Sequence, residues 1–347
     1  MGLDLFSRFN LGDNRIKLLS ILILLLFVPV LCGGSNYVMH FFVLCFIWAV
    51  VAEAWNLIMG YAGIFSFGQL AFFTIGAFAA GLITNNYGIS PWIGMLLAGV
   101  VTAVFGFLIG LPSLRLKGEY VCLVTYGLHL LLTPLILRAS PIGVEKGGFI
   151  WNIPTLNLFG FHFERIEVLP WYYVGLILST LLLISIYLVN RSSIGRALVA
   201  LRDAEPLAQS IGVNGYKYKI IVFILSAFFT GVIGGFYAYY VGTVSTKMLG
   251  LDYFVMALIM VIIGGLGIFP GGAIGAFIIT LVFELMRPLI EYRLILLGII
   301  VLLTVIYLPN GVMSLNDKLS RTNSHNYNRN ILSRLVQRKE KMSGSLK

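Results

Sequence analysis

GYAGIFSFG (Gly60–Gly68) and GGLGIFPGG (Gly264–Gly272) place glycine, glycine, isoleucine, phenylalanine and glycine at identical offsets, each within otherwise apolar sequence. The second stretch decides the span count. It interrupts residues 253–286, a run too long for one straight helical span at about 1.5 Å per residue and too short for two comfortable ones. Candidate spans lie near residues 17–33, 37–59, 66–84, 92–110, 119–138, 171–190, 219–241 and 294–308. If the basic loop at 191–218 is cytoplasmic, a cytoplasmic basic tail requires an even number of crossings after it. The interrupted run must then supply two short or tilted crossings, because counting it as one puts the tail outside, against the positive-inside bias. The expectation is an all-α polytopic membrane protein of about ten transmembrane helices, some discontinuous, with both termini cytoplasmic. Two five-span halves would form an inverted repeat, although the glycine stretches follow spans two and eight and are not equivalent in that scheme.

Composition agrees with a bilayer setting. The mean hydropathy is +0.94, and 11% of residues are charged, against roughly 25% in soluble domains. The net charge of +10 is distributed as a topology signal, not as a nucleic-acid footprint. Arg8, Arg15 and Lys17 precede the first span, Arg191, Arg196, Arg202, Lys217 and Lys219 occupy the internal loop, and eight basic residues crowd the tail. Membrane lipid, not nucleic acid, is the contact this implies. Residues 1–317 read as a transmembrane domain with an external loop at 139–170, and residues 318–347 as a basic cytoplasmic tail. The first apolar run reads as an uncleaved span, because no small-x-small cleavage site follows it. Cys32, Cys45 and Cys122 have no metal or redox spacing.

The internal loop is polar yet patterned for structure. Asp203 or Glu205 can cap a short helix, PLAQSI, with Pro206 in its first turn and Gly212 at its end. Leu207 and Ile211, at i and i+4, share one face. Such a helix is either a docking knob for a partner or a loop helix resting on lipid headgroups.

The same loop opens a resemblance. GRALVALRDAEPLAQSIGVNGYKYKIIVFILSAFFTGVIGGFYAYYVG resembles the coupling loop and following span of ABC importer permeases of the branched-chain amino acid type. NLIMGYAGIFSFGQLAFFTIGAF, LRLKGEYVCLVTYG, ALIMVIIGGLGIFPGGAIGAF and YLPNGV match that family in order, covering about residues 37–315. The resemblance implies a bacterial or archaeal inner-membrane subunit that works beside a second permease subunit, two ATP-binding subunits and an external substrate-binding protein. ATP and Mg would be bound by partners and no cofactor by this chain, which contains no Gly-Lys-Ser/Thr and so no P-loop. It implies no catalytic residues and no metal. By position, Gly195, Arg196, Ala197, Arg202, Asp203, Glu205, Ala208 and Gly212 match the family's ATPase-coupling pattern. Two departures leave the cargo open between branched-chain or other hydrophobic amino acids and urea or short amides. His129 and Leu130 stand near an expected acidic residue, and Gly147 and Gly148 lack the usual preceding threonine.

Glycine within a span costs helix propensity but permits close backbone approach and non-helical geometry. Gly60, Gly63, Gly68, Gly264, Gly265 and Gly267, with Glu53, Asn56, Ser66 and Gln69, are therefore candidates for a translocation path or gate. Tight packing of small residues is the equal alternative for any one glycine. Glu53 and Glu284 are intramembrane acids and functional candidates by default; Glu119 sits beside Lys117 at an interface. A secondary transporter acting alone would use Glu53 or Glu284 to carry a proton. An enzyme is disfavoured, because His40, His129, His162 and His325 are scattered without a supporting constellation.

Overall fold

The structure, a computed structural model, describes residues 20, 23–114, 116, 120–138, 144, 147–158, 161–308 and 311–313. The basic tail at 318–347, the N-terminal basic residues, Arg115, Lys117 and Glu119 lie outside the described residues.

A helical segment at 23–31 leads into α1 (Asn36–Asn56), which widens into a π-helical turn at Leu57–Tyr61. There follow α2 (Gln69–Tyr87), α3 (Pro91–Ser113), α4 (Tyr120–Leu137), α5 (Val168–Arg191), α6 (Ser193–Ser210) and α7 (Gly215–Val241). Two short helices, α8 (Leu251–Gly264) and α9 (Gly271–Leu285), occupy the interrupted run, and α10 (Arg293–Tyr307) ends the described bundle. Among the described residues six helices are long and apolar enough to cross a membrane, with α8, α9 and the core of α10 shorter apolar helices. The protein is an all-α polytopic membrane protein, and the run at 253–286 divides in two where the sequence requires it.

Local chemistry sets the boundaries. Gly88, at φ +62°, ends α2 as its N–H bonds the Thr84 carbonyl, and Pro91 opens α3 where its missing N–H costs nothing. Gly242, at φ +80°, ends α7 in the same left-handed way. The centre of the bundle is α7, packed between α2 and α3 through small residues. Added Cβ atoms on Gly76 and Gly234 would strike the backbones of Gly231 and Phe73, and Gly106 lies against Ala227. Such close approach substitutes for the hydrophobic drive that lipid does not supply between helices.

Loop contacts divide the helix ends between two sides. Phe149–Ile150 (β1) pairs antiparallel with Val244–Ser245 (β4), and Asn157–Leu158 (β2) pairs with Phe161–His162 (β3). Asn36 donates to the Ile166 carbonyl, Asn85 to Trp151 and Trp92 to Asn157. The start of α1, the α2–α3 turn, the end of α7 and the loop at 147–167 therefore share a strand side. The opposite side carries α6, the 62–68 linker and the 265–270 turn; Tyr216 donates to the Leu111 carbonyl there, joining the end of α3 to the start of α7.

Candidate functional site

The two glycine stretches meet on the α6 side. α1 ends in its π turn with the Gly60 backbone so close to Gly267 that a Cβ on Gly60 would overlap the Gly267 nitrogen. Asn56, one turn earlier, fastens the junction. Its Oδ1 accepts from Gly267 N at 2.8 Å, and its Nδ2 donates to the Ile268 carbonyl at 3.0 Å and to Glu53 Oε1 at 3.2 Å. Glu53 Oε2 accepts from Ala273 N at 3.2 Å. A fully buried carboxylate on α1 thus meets an orphan N–H in the first turn of α9, where the helix dipole favours negative charge.

The second stretch is a hairpin. Gly264 faces Gly271 and Gly275 faces the Met260 carbonyl, so α8 and α9 run antiparallel with backbones in contact. Gly265 at φ +110° and Gly267 at φ +74° turn the chain through conformations that L side chains avoid. Val312 N donates to the Ile263 carbonyl at 2.8 Å, which brings the closing Gly311–Val312 segment onto the same hairpin.

A different group forms on the other face of α1. Gln69 Nε2 donates to Thr230 Oγ1, while Ser226 Oγ contacts Gln69 Oε1 at 3.1 Å and donates to the Ala54 carbonyl at 2.6 Å. Trp55 Nε1 donates to the Ser66 carbonyl at 2.8 Å, and Phe67 N to Thr125 Oγ1 at 2.9 Å. Gly68 precedes α2 as its N-terminal flanking residue. Glu53, Asn56, Gly60, Gly63, Gly264, Gly265 and Gly267 are therefore brought together, whereas Ser66 is held by Trp55 of α1, Gly68 lies near Thr125 of α4 and Gln69 bonds to α7. All four polar candidates, Glu53, Asn56, Ser66 and Gln69, are buried and hydrogen-bonded. Glu284 lies on the strand side, where it accepts from Tyr37 at 3.0 Å and pairs with Arg287 at 3.1 Å. His129 is buried against Tyr126 and Phe254, with Nε2 3.2 Å from the Leu249 carbonyl.

The α6 helix differs from its expected form. Ser192 Oγ accepts from Ile194 N and starts it at Ser193, and the non-helical residue that divides it is Ala204 (φ −155°, ψ 78°). Neither Asp203 nor Glu205 is the cap of the second half. Asp203 pairs with Arg202 at 3.0 Å, and Glu205 reaches Lys219 of α7 at 2.7 Å and Gln209 at 3.3 Å. Gly212, at φ +93°, ends the helix as anticipated, with Val213 N bonding the Ala208 carbonyl. Gly195 fits against the Asn190 carbonyl at the α5–α6 corner, and Ala208 is buried, whereas Arg196 is exposed and donates to the Arg191 carbonyl. Leu207 and Ile211 are 66% and 73% exposed, an apolar pair projecting from a polar helix. Beside them opens a depression of about 410 Å³ lined by Gln209, Gly212, Val213, Asn214, Gly215 and Tyr216.

Sequence reasoning missed that Arg202 reaches the glycine stretches. Its Nη1 donates to the Gly60 carbonyl at 2.7 Å, its Cγ lies 2.5 Å from where a Cβ on Gly63 would stand, and its Nη1 lies 2.7 Å from the corresponding point on Gly267. The available signal was a set of glycines with no large side chain of their own, which leaves room for a long one from elsewhere. Among the described residues, no three His, Cys, Asp or Glu side chains gather as a metal site.

An apolar helix bundle with a polar side helix joined to its re-entering turns is the build of a multi-pass membrane permease. The family described as branched-chain amino acid transport system / permease component matches residues 37–305, and the chain belongs to it. It is similar to the high-affinity branched-chain amino acid transport system permease protein LivM of Salmonella typhimurium, 31% identical over 77% of this chain and 68% of that protein. LivM of Escherichia coli is also 31% identical, over 78% of this chain and 68% of its own length. A nucleoside ABC transporter permease protein, NupC of Lactococcus lactis, is 24% identical over 51% of this chain and 59% of that protein. No solved structure matches the chain.

Proposed function

We propose that this chain is a membrane-spanning subunit of an ABC importer, forming part of the path for branched-chain or other hydrophobic amino acids. ATP would be hydrolysed, with Mg, on two separate ATP-binding subunits. A second permease subunit, related but different in sequence, would complete the path, and an external binding protein would deliver the cargo. The chain sits in a bacterial or archaeal inner membrane with α6 and both termini in the cytoplasm.

The observation that carries this reading is the exposed Leu207–Ile211 pair on α6, beside an open depression and on the side that holds Arg191, Arg196, Arg202, Lys217 and Lys219. An apolar pair held out on a polar helix fits a partner surface, and the basic surroundings fit the cytoplasmic face. Gly195, Arg196, Ala197, Arg202, Asp203, Glu205, Ala208 and Gly212 then form or shape the surface through which closure of the ATPases is felt. The junction of Glu53, Asn56, Gly60, Gly63, Gly264, Gly265 and Gly267 forms a gate, and the Ser66–Gly68–Gln69 group holds its frame. Rocking of the helices between inward-open and outward-open states would carry the solute.

The test is purification of the tagged chain in mild detergent from its native host, followed by uptake in proteoliposomes. Recovery with P-loop chains and a second multi-pass chain, and ATP-dependent accumulation of leucine with binding protein present, are expected. Uptake of urea or acetamide in place of leucine would change the cargo. Uptake by the chain alone along a proton gradient would replace the reading with that of a secondary transporter. A cysteine placed at Ser193 should react with an impermeant thiol reagent only from the cytoplasmic side.

A further inference from the structure

Arg202 occupies a position that its place on a surface helix does not require. Its side chain turns into the bundle, about a quarter exposed (28%), while its neighbour Asp203 lies at the surface. The guanidinium is held twice. Nε and Nη2 each lie 3.0 Å from Asp203 Oδ1, which fixes the plane of the fork, and Nη1 donates to the Gly60 carbonyl at 2.7 Å. That carbonyl belongs to the last turn of α1, where carbonyls lose their helical partners and the dipole favours a cation. The same Nη1 abuts Gly267, and the aliphatic stem lies over Gly63. Side chains at those two glycines would displace the arginine. Asn56 grips the 265–270 turn from the bundle interior through Gly267 N and the Ile268 carbonyl.

We infer that Arg202 is a positioning residue that ties α6 to both glycine turns, so that a displacement of α6 moves the ends of α1 and α8 as one unit. This rests on the importer reading above and adds the route by which a push on α6 reaches the gate. The geometry separates two tasks that share one helix. Leu207 and Ile211 face outward and offer a surface, whereas the Arg202 side chain turns inward to Gly60, Gly63 and Gly267. The kink at Ala204 lies between them, so the outward half and the inward half are separate helical pieces joined at one residue. A charge-assisted hydrogen bond to a backbone carbonyl also suits the task better than apolar packing, because it has direction and is shorter and stronger than a neutral hydrogen bond.

The experiment compares wild type, Arg202→Met and Arg202→Lys in the complete complex purified from the native host. Subunit stoichiometry, ATP hydrolysis and leucine uptake are measured on the same preparations. Methionine keeps much of the stem over Gly63 and removes every donor. It is expected to lower uptake roughly tenfold or more, the scale of a lost charged hydrogen bond, with full subunit occupancy and hydrolysis within about twofold of wild type. Lysine keeps the charge and a donating ammonium but not the planar fork, and should restore part of the uptake. Loss of the ATP-binding subunits from the methionine variant would make Arg202 a docking residue and overturn the inference, as would uptake equal to wild type. If the methionine variant does not accumulate, the lysine variant is read in its place. Reduced uptake with retained hydrolysis supports the tie, and uptake and hydrolysis falling together, or neither changing, overturns it. Wild-type complex without ATP-dependent uptake would remove the importer reading and this inference with it, whereas active wild type beside active Arg202→Met removes the inference alone.

Discussion

The two glycine stretches are nearly the same sequence and make different turns. Gly63 and Gly267, at matching offsets, both adopt left-handed backbone, φ +66° and +74°. Gly60 and Gly264, also matching, both lie where a Cβ would overlap backbone. Each stretch reverses the chain on the α6 side between two antiparallel helices. Beyond this the turns diverge. After Gly264 the small residues continue as Gly271, Gly272 and Gly275, so α8 and α9 close on each other with backbones touching. After Gly68 comes Gln69, whose amide bonds Thr230 and Ser226 of α7 and draws α2 away from α1. The motif thus sets the turn, and the residues after it choose the partner helix. The two turns then dock on each other through Gly60 and Gly267.

If the motif sets the turn, bulk at the docking point should be the most damaging change. Gly60→Val is expected to destabilise the protein by more than about 3 kcal/mol, because its Cβ would overlap the Gly267 backbone as well as Asn56 Oδ1, the acceptor that holds the junction. The readout is loss of a monodisperse peak in detergent gel filtration. Normal accumulation would mean that the turns are separable and the comparison false. Next in size is Asn56→Leu, which strips Gly267 N, the Ile268 carbonyl and Glu53 Oε1 of their shared partner. Each buried group left unsatisfied costs about 1–3 kcal/mol. The thermal midpoint should fall well below that of Gln69→Leu, which affects a buried hydroxyl pair on α7 and should cost about 1–2 kcal/mol. These two polar groups lie on opposite faces of α1, so their effects should add within about 0.5 kcal/mol. A larger coupling would show that the two turns share one network.

Much of this arrangement was legible in the residues. The division of 253–286 into two helices followed from length and charge parity, because a span has a fixed reach and basic residues prefer one side. The identical offsets of glycine signalled a shared backbone requirement, and Gly212 marked the end of α6 through its left-handed conformation. What escaped was the set of partners. Glu53 read as an intramembrane charge in need of a function, yet its carboxylate meets the first turn of a helix 220 positions away. Nothing local announces an N–H supplied by α9. Asp203 and Glu205 read as caps because they precede Pro206, but their oxygens pair with Arg202 and Lys219, and the break in the helix falls at Ala204 between them. Arg202 itself sits in a polar run and reads as surface charge; only the empty space over Gly63 and Gly267 admits it to the interior.

The smallest expected effect on stability tests whether α6 is a separate element that the turns merely contact. Glu205 accepts from Lys219 at 2.7 Å, but its side chain is 44% exposed, so the pair is screened and worth about 0–1 kcal/mol. Glu205→Arg sets two cations together, yet both can swing toward water, and the thermal midpoint should move by only a degree or two. Uptake should behave differently. Glu205 follows the Ala204 kink directly and fixes the outward half of α6 to α7 through Lys219, while Arg202 fixes the inward half to Gly60. Releasing the outward half leaves Leu207 and Ile211 on a helix that can tilt without moving the bundle, so uptake should be abolished with stability intact. Uptake close to wild type would mean that the inward contact alone carries the motion and that the link to α7 is dispensable. Loss of uptake together with a large fall in the midpoint would instead make α6 an integral part of the fold, with its two halves inseparable from the turns they touch.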